Sequence, residues 1–321
     1  MRKITKTLLG IGGAFCLIGA LLFSIGFTSG GTKYVHATNL NSMNAQEDSK
    51  ESANRFTLKK TEIPDFTSLN INLEDSDLNI EESPNEKSYI EYAQATKDKK
   101  NPVSYSIENG TLTLKEAGNT GASYYINVDI SFLQAALSSK NIEDYTKESS
   151  KYENYVTLYL PKDKLVSSAK IYLGYGDFYV KNATFDTTNI KLDDGDFDAN
   201  TLTANSGKLT FSYGDCDLQK ASLGNISLTS KDGDLTVDEL TLSGKTKIAL
   251  SYGDAEITLN DSTKKVSGFD LATHYGTITA SGLNGNKTVD EDDDVNTFQS
   301  DSKDGKTKLA IDSKDGDIMV K

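Results

Sequence analysis

The chain has 321 residues, with 34 Lys and Arg against 47 Asp and Glu, and its formal net charge is −13. The four basic residues of the first 37 come with no acid, so the rest carries a net charge of −17. Such a surface repels nucleic acid, which excludes it as a partner, but attracts cationic peptides and divalent ions. The chain has two cysteines and the first falls in an apolar N-terminal run, so the fold must do without a disulfide framework.

The N-terminal segment has the pattern of a membrane anchor. Residues 1–7 form a basic tip, and the uncharged residues 8–27 would span roughly 30 Å as a helix, close to the thickness of a bilayer core. The preceding charges predict a cytoplasmic tip and a single-pass protein of the cell membrane with its C-terminal domain extracellular. The alternative is secretion after signal-peptide cleavage near Ala37. The polar residues 28–54 predict a flexible tether.

Residues 55–170 predict an irregular N-terminal part of a β-repeat domain. Asp75-Ser76-Asp77 takes the place of a turn between two alternating apolar runs, and Asn109-Gly110 predicts a hairpin. An insertion at 119–154 interrupts the pattern, and it is either a partner-binding element or a local cap over the side of the domain. Its candidate partner-binding residues are Tyr124, Tyr125, Phe132 and Leu133.

Residues 171–321 contain a Gly-Asp repeat, with Gly276-Thr277 as a variant copy. The spacings between successive glycines are 19, 19, 19, 20, 23 and 40 residues, and the last predicts a degenerate copy in between. Apolar residues recur two and four positions after each glycine. The turn glycines are Gly176, Gly195, Gly214, Gly233, Gly253, Gly276 and Gly316.

Equivalent columns in every unit predict an all-β fold, a single-stranded β-solenoid or β-helix-like repeat with about 19–20 residues per coil. A β-sandwich of hairpins needs no such equality between units, so it is the weaker alternative. The residue before the glycine alternates between Tyr and Asp, from Tyr175 to Tyr252. We expect these residues to stack in turn. The chain finishes on a strand-like run, Asp317 to Lys321, which predicts an open edge available for self-association.

The repeated turn predicts structure before chemistry. Glycine supplies a positive φ, and the Asp carboxylate accepts hydrogen bonds from nearby backbone amides. The weaker alternative is a row of calcium sites at Asp177, Asp196, Asp215, Asp234 and Asp254. The two histidines, His36 and His274, belong to no recognisable triad or zinc site. The sequence therefore predicts no enzyme, no catalytic residue, no metal and no cofactor.

Three motifs carry a family resemblance: Leu-x-Ile followed by Ser-Asp-Leu-x-Ile within Leu69 to Ile80, Glu-Asn-Gly-Thr-Leu-Thr-Leu from Glu108, and Leu-Pro-Lys at Leu160 before the Gly-Asp repeats. Over roughly residues 56–321 the chain resembles bacterial envelope proteins called "putative adhesin", and it is similar to the C-terminal part of LiaX-type surface proteins. The resemblance implies a β-solenoid at the cell surface, tied to envelope stress or antimicrobial-peptide response.

Three functions remain open from the sequence. The first is a non-catalytic, adhesin-like binding module at the cell surface, with a cell-envelope protein or a cationic peptide as partner. The second is a structural surface protein that self-associates into a homo-oligomer. The third and weakest is a polysaccharide-active β-helix enzyme, because paired carboxylates could serve glycoside hydrolysis.

Overall fold

A computed structural model of the protein describes residues 55–96, 101–117, 154–290 and 294–321. The predicted tip, anchor and tether, and the four candidate residues of the insertion, lie outside these ranges. Within them, no helix is both long enough and apolar enough to cross a membrane. Residues 55–321 belong to one compact unit.

The described residues form 21 strands and one short helix, α1 (Asp261–Val266). The strands are β1 (Arg55–Ile63), β2 (Ser68–Leu73), β3 (Asp77–Glu82), β4 (Ser88–Ala95), β5 (Val103–Glu108), β6 (Thr111–Glu116), β7 (Tyr155–Leu160), β8 (Leu165–Tyr175), β9 (Phe178–Val180), β10 (Ala183–Asp194), β11 (Phe197–Phe211), β12 (Cys216–Asp232), β13 (Leu235–Leu242), β14 (Lys245–Tyr252), β15 (Ala255–Leu259), β16 (Gly268–Thr273), β17 (Ile278–Ala280), β18 (Asn286–Asp290), β19 (Val295–Ser300), β20 (Lys308–Asp315) and β21 (Ile318–Val320).

The central strands confirm the solenoid and exclude the sandwich. β11 pairs with β12 in parallel from Phe197↔Cys216 to Phe211↔Ser230, with a constant offset of 19 residues. β10 pairs with β11 at the same offset, and β12 pairs with β14 at an offset of 20. Each coil therefore lies directly on the previous one. Within a coil, the pre-turn strand leads to the Gly-Asp turn and the post-turn strand leaves it.

The interior is filled by apolar columns that run along the stack. Two residues after the turn glycine, Phe178, Phe197, Cys216 and Leu235 follow one another in adjacent coils, and all are buried. The rings of Phe178 and Phe197 stack with centroids 5.0 Å apart. Since side chains alternate in a strand, every second residue points inward, and the matching exposed residues form columns on the outside.

At its C-terminal end the stack does not follow chain order. β20 lies between β14 and β16, and β21 lies between β15 and β17. The segment from Lys308 to Val320 is thus inserted beneath the earlier segment from Gly268 to Ala280. The predicted degenerate copy is wrong, because the intervening residues form the antiparallel strands β18 and β19, which extend the pre-turn layer beyond β16.

The prediction of an open edge at the last strand is also wrong. β21 is paired in parallel on both sides, and its Ile318 and Val320 are buried. Among the described residues, the strands paired on one side only are β17 and β18 at this end, and β1 and β5 at the other. β17 has three residues, and β18 is exposed throughout, with Val289 as its one apolar residue.

At the N-terminal end, too, the stack does not follow chain order, and we call this arrangement interleaving. β2 lies between β6 and β8, and β3 lies between β7 and β9, so the first coil in sequence is the second in the stack. The outermost coil consists of β6 and β7. The predicted hairpin at Asn109-Gly110 is confirmed, because β5 and β6 are antiparallel and both turn residues have positive φ, 49° and 73°.

Candidate functional site

The turn glycines stack at one edge of the solenoid, which we call the turn edge. A Cβ atom on Gly214 would lie 2.3 Å from the carbonyl oxygen of Gly195 in the adjacent coil, and the φ of Gly214 is 115°. Both the close approach and the backbone conformation therefore require glycine. Gly176 and Gly276 lack a positive φ but are equally crowded, so the expectation of a positive φ fails at these two positions.

The aspartates after the glycines form a hydrogen-bonded column, which we call the aspartate ladder. In each coil the backbone N–H of the aspartate donates to Oδ1 of the aspartate in the adjacent coil, over 2.7 to 2.9 Å. The last rung is the N–H of Thr277, which donates to Asp317. The ladder comprises Asp77, Asp177, Asp196, Asp215, Asp234, Asp254 and Asp317.

This geometry explains both variants of the repeated turn. Asp77 of the Asp75-Ser76-Asp77 turn accepts from Asp177 and so occupies the ladder position. Thr277 belongs to the outermost coil at the other end, and it needs no carboxylate because no further coil offers an amide. The hydrogen bonds join different coils, whereas turn chemistry alone predicts bonds inside one turn.

The calcium alternative gains no support from the described residues. They contain no group of three or more His, Cys, Asp or Glu side chains placed to hold a metal ion. In the ladder, Oδ1 of each aspartate is already a hydrogen-bond acceptor. The calcium hypothesis stays an untested prediction.

Beside the ladder runs a row of exposed tyrosines. The alternation of Tyr and Asp before the glycine in the sequence is also found between adjacent coils of the structure, since Tyr175 pairs with Asp194 and Asp232 pairs with Tyr252. The interleaved end continues it, because Tyr252 pairs with Asp315. The tyrosine row consists of Tyr175 (61% exposed), Tyr213 (47%), Tyr252 (57%) and Tyr275 (67%).

Tyr275 closes the row because of the interleaving. Thr273 pairs with Ser313, and the N–H of His274 donates to the carbonyl of Ser313, so Tyr275 lies level with Asp315. In stack order the column therefore reads Tyr, Asp, Tyr, Asp, Tyr, Asp, Tyr. We call Asp194, Asp232 and Asp315 the inter-tyrosine aspartates. All three are exposed, and their carboxylates take part in no hydrogen bond or ion pair within the described ranges.

One lysine of the chain already sits on this row. Nζ of Lys231 lies 5.0 Å from the ring centroid of Tyr213, and it donates a hydrogen bond to the Tyr213 hydroxyl over 3.1 Å. The described residues place no cation over Tyr175, Tyr252 or Tyr275. The row can therefore receive ammonium groups, and three of its rings are open.

The surroundings of the turn edge are acidic. The outward column two residues beyond the ladder includes Asp198 and Asp217, which pair across adjacent strands. Partial burial, followed by repulsion from Asp217, Asp196 and Asp177, raises the pKa of Asp198. The smaller, repulsive part of this rise in pKa comes from the neighbouring carboxylates, which make the local potential negative.

The described residues that flank the insertion lie at the same edge. Its flanking strands β6 and β7 form the outermost coil, so the chain leaves at Ala117 and returns at Asn154 where other coils have their Gly-Asp turn. The carbonyl of Asn154 accepts a hydrogen bond from the N–H of Asp77, the end of the ladder. Its predicted binding residues lie outside the described ranges, but both flanks fall on the turn edge.

A partly buried carboxylate that the sequence did not reveal lies beside this point. Glu116 accepts hydrogen bonds from the N–H groups of Glu74 (2.7 Å) and Asp75 (3.0 Å) and from Nε2 of Gln94 (2.6 Å). Burial raises the pKa of Glu116, although the backbone hydrogen bonds oppose it. Sequence alone could not indicate this role, because Lys115-Glu116 resembles any polar strand end.

Residues 66–321 match the family described as Toastrack DUF4097, and the chain belongs to this family. None of the curated proteins matches the chain.

Three solved structures of low identity are similar over most of the chain. A putative adhesin from Bacteroides fragilis is 10% identical, with a TM-score of 0.41, covering 84% of this chain and 99% of its own. A putative cell adhesion protein from Clostridium sporogenes is 14% identical, with a TM-score of 0.35, covering 82% and 99%. A putative adhesin from Parabacteroides distasonis is 13% identical, with a TM-score of 0.35, covering 83% and 96%. At these values the names carry no argument about function.

Proposed function

We propose that the protein is a non-catalytic binding module of the cell surface and that its turn edge binds a cationic partner. The observation that carries the proposal is the row of four exposed tyrosines separated by aspartates that have no partner in the described ranges. Exposed aromatic rings offer cation–π contacts worth about 0.5–1 kcal/mol each, and carboxylates between them add charge complementarity.

The proposal joins the two binding elements that the sequence indicated. The acidic surface predicts a cationic partner, and the described residues that flank the insertion, Ala117 and Asn154, lie on the turn edge, where Asn154 contacts Asp77. Display outside the cell depends on the predicted anchor at residues 8–27. Capture of cationic peptides at this edge is also how a part in envelope-stress or antimicrobial-peptide response would arise.

Binding of a fluorescent oligolysine to the full chain in nonionic detergent tests the proposal. Affinity should fall steeply with added salt, because exposed charges are screened. Tyr252→Ala should weaken binding about 2–5-fold, the equivalent of one exposed cation–π contact. Asp232→Asn should weaken it as well.

The matched control is Asp238→Asn, which removes an exposed charge from the same coil but away from the turn edge. If this control lowers affinity as much as Asp232→Asn, only net charge matters and the turn edge is not the site. Absence of oligolysine binding at low salt also contradicts the proposal. Labelling of intact cells with a membrane-impermeant amine reagent tests surface display separately.

A further inference from the structure

We propose that the turn edge recognises an extended chain whose basic side chains are three residues apart, so that successive cationic groups lie on successive tyrosines. The inference rests on the proposed function, since it names the ligand pattern for the same surface. It follows from the spacing of the rings along the stack.

The tyrosine row has a fixed repeat. The rings belong to every second coil, because an aspartate occupies the same position in the coils between them. Coils joined by backbone hydrogen bonds lie about 4.8 Å apart, so neighbouring tyrosines are about 10 Å apart and the whole row covers about 29 Å.

An extended peptide matches this repeat at only one short period. A polyproline II helix rises about 3.1 Å per residue with three residues per turn, so side chains three positions apart lie on one face about 9 Å apart. In a strand, side chains three positions apart point to opposite faces, so that conformation does not fit the row. In polyproline II two residues cover about 6 Å and four cover about 12 Å. Basic side chains at every third position therefore stay aligned with the tyrosine rings over the entire row. Side chains spaced by two or four positions are out of alignment with the rings after one repeat.

The chain itself shows how a lysine is held on such a ring. Lys231 precedes Asp232, and its ammonium group lies over Tyr213 of the neighbouring coil. A second case lies nearby, where Nζ of Lys191 lies 5.0 Å from the Tyr172 centroid and, unlike Lys231, also forms an ion pair with the Asp193 carboxylate over 2.6 Å. A tyrosine ring on the outside of the solenoid is thus a binding position for an ammonium group, which we call a seat, and an aspartate beside it can add an ion pair.

Of the four seats on the row, Lys231 fills that of Tyr213. Tyr252 and Tyr275 are open neighbours with Asp315 between them, and Tyr175 is open at the other end. A ligand at three-residue spacing would place two cations on the open pair, on either side of the Asp315 carboxylate. Removing Lys231 would make the row continuous.

Three synthetic peptides of thirteen residues test the inference. Each has four lysines among serine and glycine, spaced by two, three or four positions, so that charge and composition are identical. Their affinities for the full chain are measured at one salt concentration. The three-position peptide should bind about 5-fold or more tighter than the other two.

Equal affinities, or a different peptide binding most tightly, overturn the inference but leave a charge-driven site intact. If none of the three binds, the proposed function itself fails. The two failures are therefore distinguishable in one experiment.

Two variants sharpen the test. Lys231→Gln should strengthen binding of the three-position peptide about 2–5-fold by opening the Tyr213 seat, whereas Lys265→Gln, an exposed change in α1, should have only the small effect of lost net charge. Tyr252→Ala should reduce the preference among the three peptides, and Tyr105→Ala on β5 should leave it unchanged. A preference that survives Tyr252→Ala and Tyr275→Ala together contradicts the inference.

Discussion

The turn edge carries two columns of aspartates that look alike in the sequence and differ in what holds them. In the ladder, each carboxylate accepts a backbone N–H from the adjacent coil. The inter-tyrosine aspartates lie two residues earlier, are exposed, and have no such contact within the described ranges. We infer that the first column holds the coils together and that the second is available to a partner.

The largest expected effect tests the close packing on which the ladder depends. Gly214→Ala would place a Cβ atom 2.3 Å from the Gly195 carbonyl oxygen and force alanine to a φ of 115°. Steric overlap with backbone cannot be relieved by a rotamer change, so we expect a loss of about 3 kcal/mol or more in the free energy of unfolding. Urea denaturation measures it.

Gly305→Ala is the matched control for this change. Its φ is 66°, but a Cβ atom there would have no neighbour within 4 Å. Gly305→Ala should lower the free energy of unfolding by about 1 kcal/mol, because only the positive φ is unfavourable for alanine at this position. Equal losses for the two variants would mean that the stacking contact contributes nothing.

The second test separates the two columns directly. Asp215→Ala leaves the N–H of Asp234 without its acceptor, which lies 2.8 Å away in the native protein, and should cost about 1 kcal/mol. Asp232→Ala should change the free energy of unfolding by less than about 0.5 kcal/mol, as for an exposed residue without contacts. In oligolysine binding, Asp232→Ala should still show a clear loss. A reversed order in stability would refute the division of roles.

A third test uses the partly buried carboxylate of Glu116, which accepts hydrogen bonds from the turn at the other end of the stack. Burial raises the pKa of Glu116 above its usual value of 4.5, so between these two pKa values the folded state holds a proton that the unfolded state has lost. The free energy of unfolding should therefore decrease as pH rises through that interval. Glu116→Gln should remove this dependence, because glutamine keeps an acceptor oxygen and does not titrate.

The control for the pH experiment is Glu108→Gln, which alters an exposed carboxylate on the adjacent strand. Its pH profile should follow the wild type. A Glu116→Gln profile that retains the full slope would assign the effect to other carboxylates.

The smallest expected effect concerns the inside of the coil. Cys216 lies between Phe197 and Leu235 in a buried column, and burial raises the pKa of its thiol well above the usual value. In a Cys16→Ser background, the thiol should react with an alkylating reagent only when the coil opens. Cys216→Ala should change stability by less than about 1.5 kcal/mol, since it removes one buried heavy atom and alanine occupies the same column at Ala255. Rapid labelling of the native protein would contradict this burial.

The sequence predicted the regular coils because each carries its own copy of the pattern. Phe178, Phe197 and Cys216 are equivalent in sequence and in space, since neighbours in the chain are neighbours in the stack. The order at the end could not be predicted the same way. Ile278 and Ile318 fit the same column equally well. The alternation of apolar and polar residues therefore does not show which of β17 and β21 pairs with β15.

The candidate site was predicted in part for the same reason. The alternation from Tyr175 to Tyr252 is visible along the chain, but its continuation through Asp315 to Tyr275 requires the interleaved order. Glu116 gave no sequence signal because its partners, the amides of Glu74 and Asp75, are about 40 residues away. Contacts between residues so far apart in the chain leave no trace in the local sequence pattern.

The interleaved order of the C-terminal coils also constrains when each coil can fold during synthesis. Residues 308–320 leave the ribosome after residues 268–280, yet they lie beneath them in the finished stack. The outer coil at this end can therefore reach its native place only after the later segment has been made. A product that stops short of residue 308 would leave β14 and β15 unpaired on one side, and these exposed backbone groups would be a template for pairing with other chains.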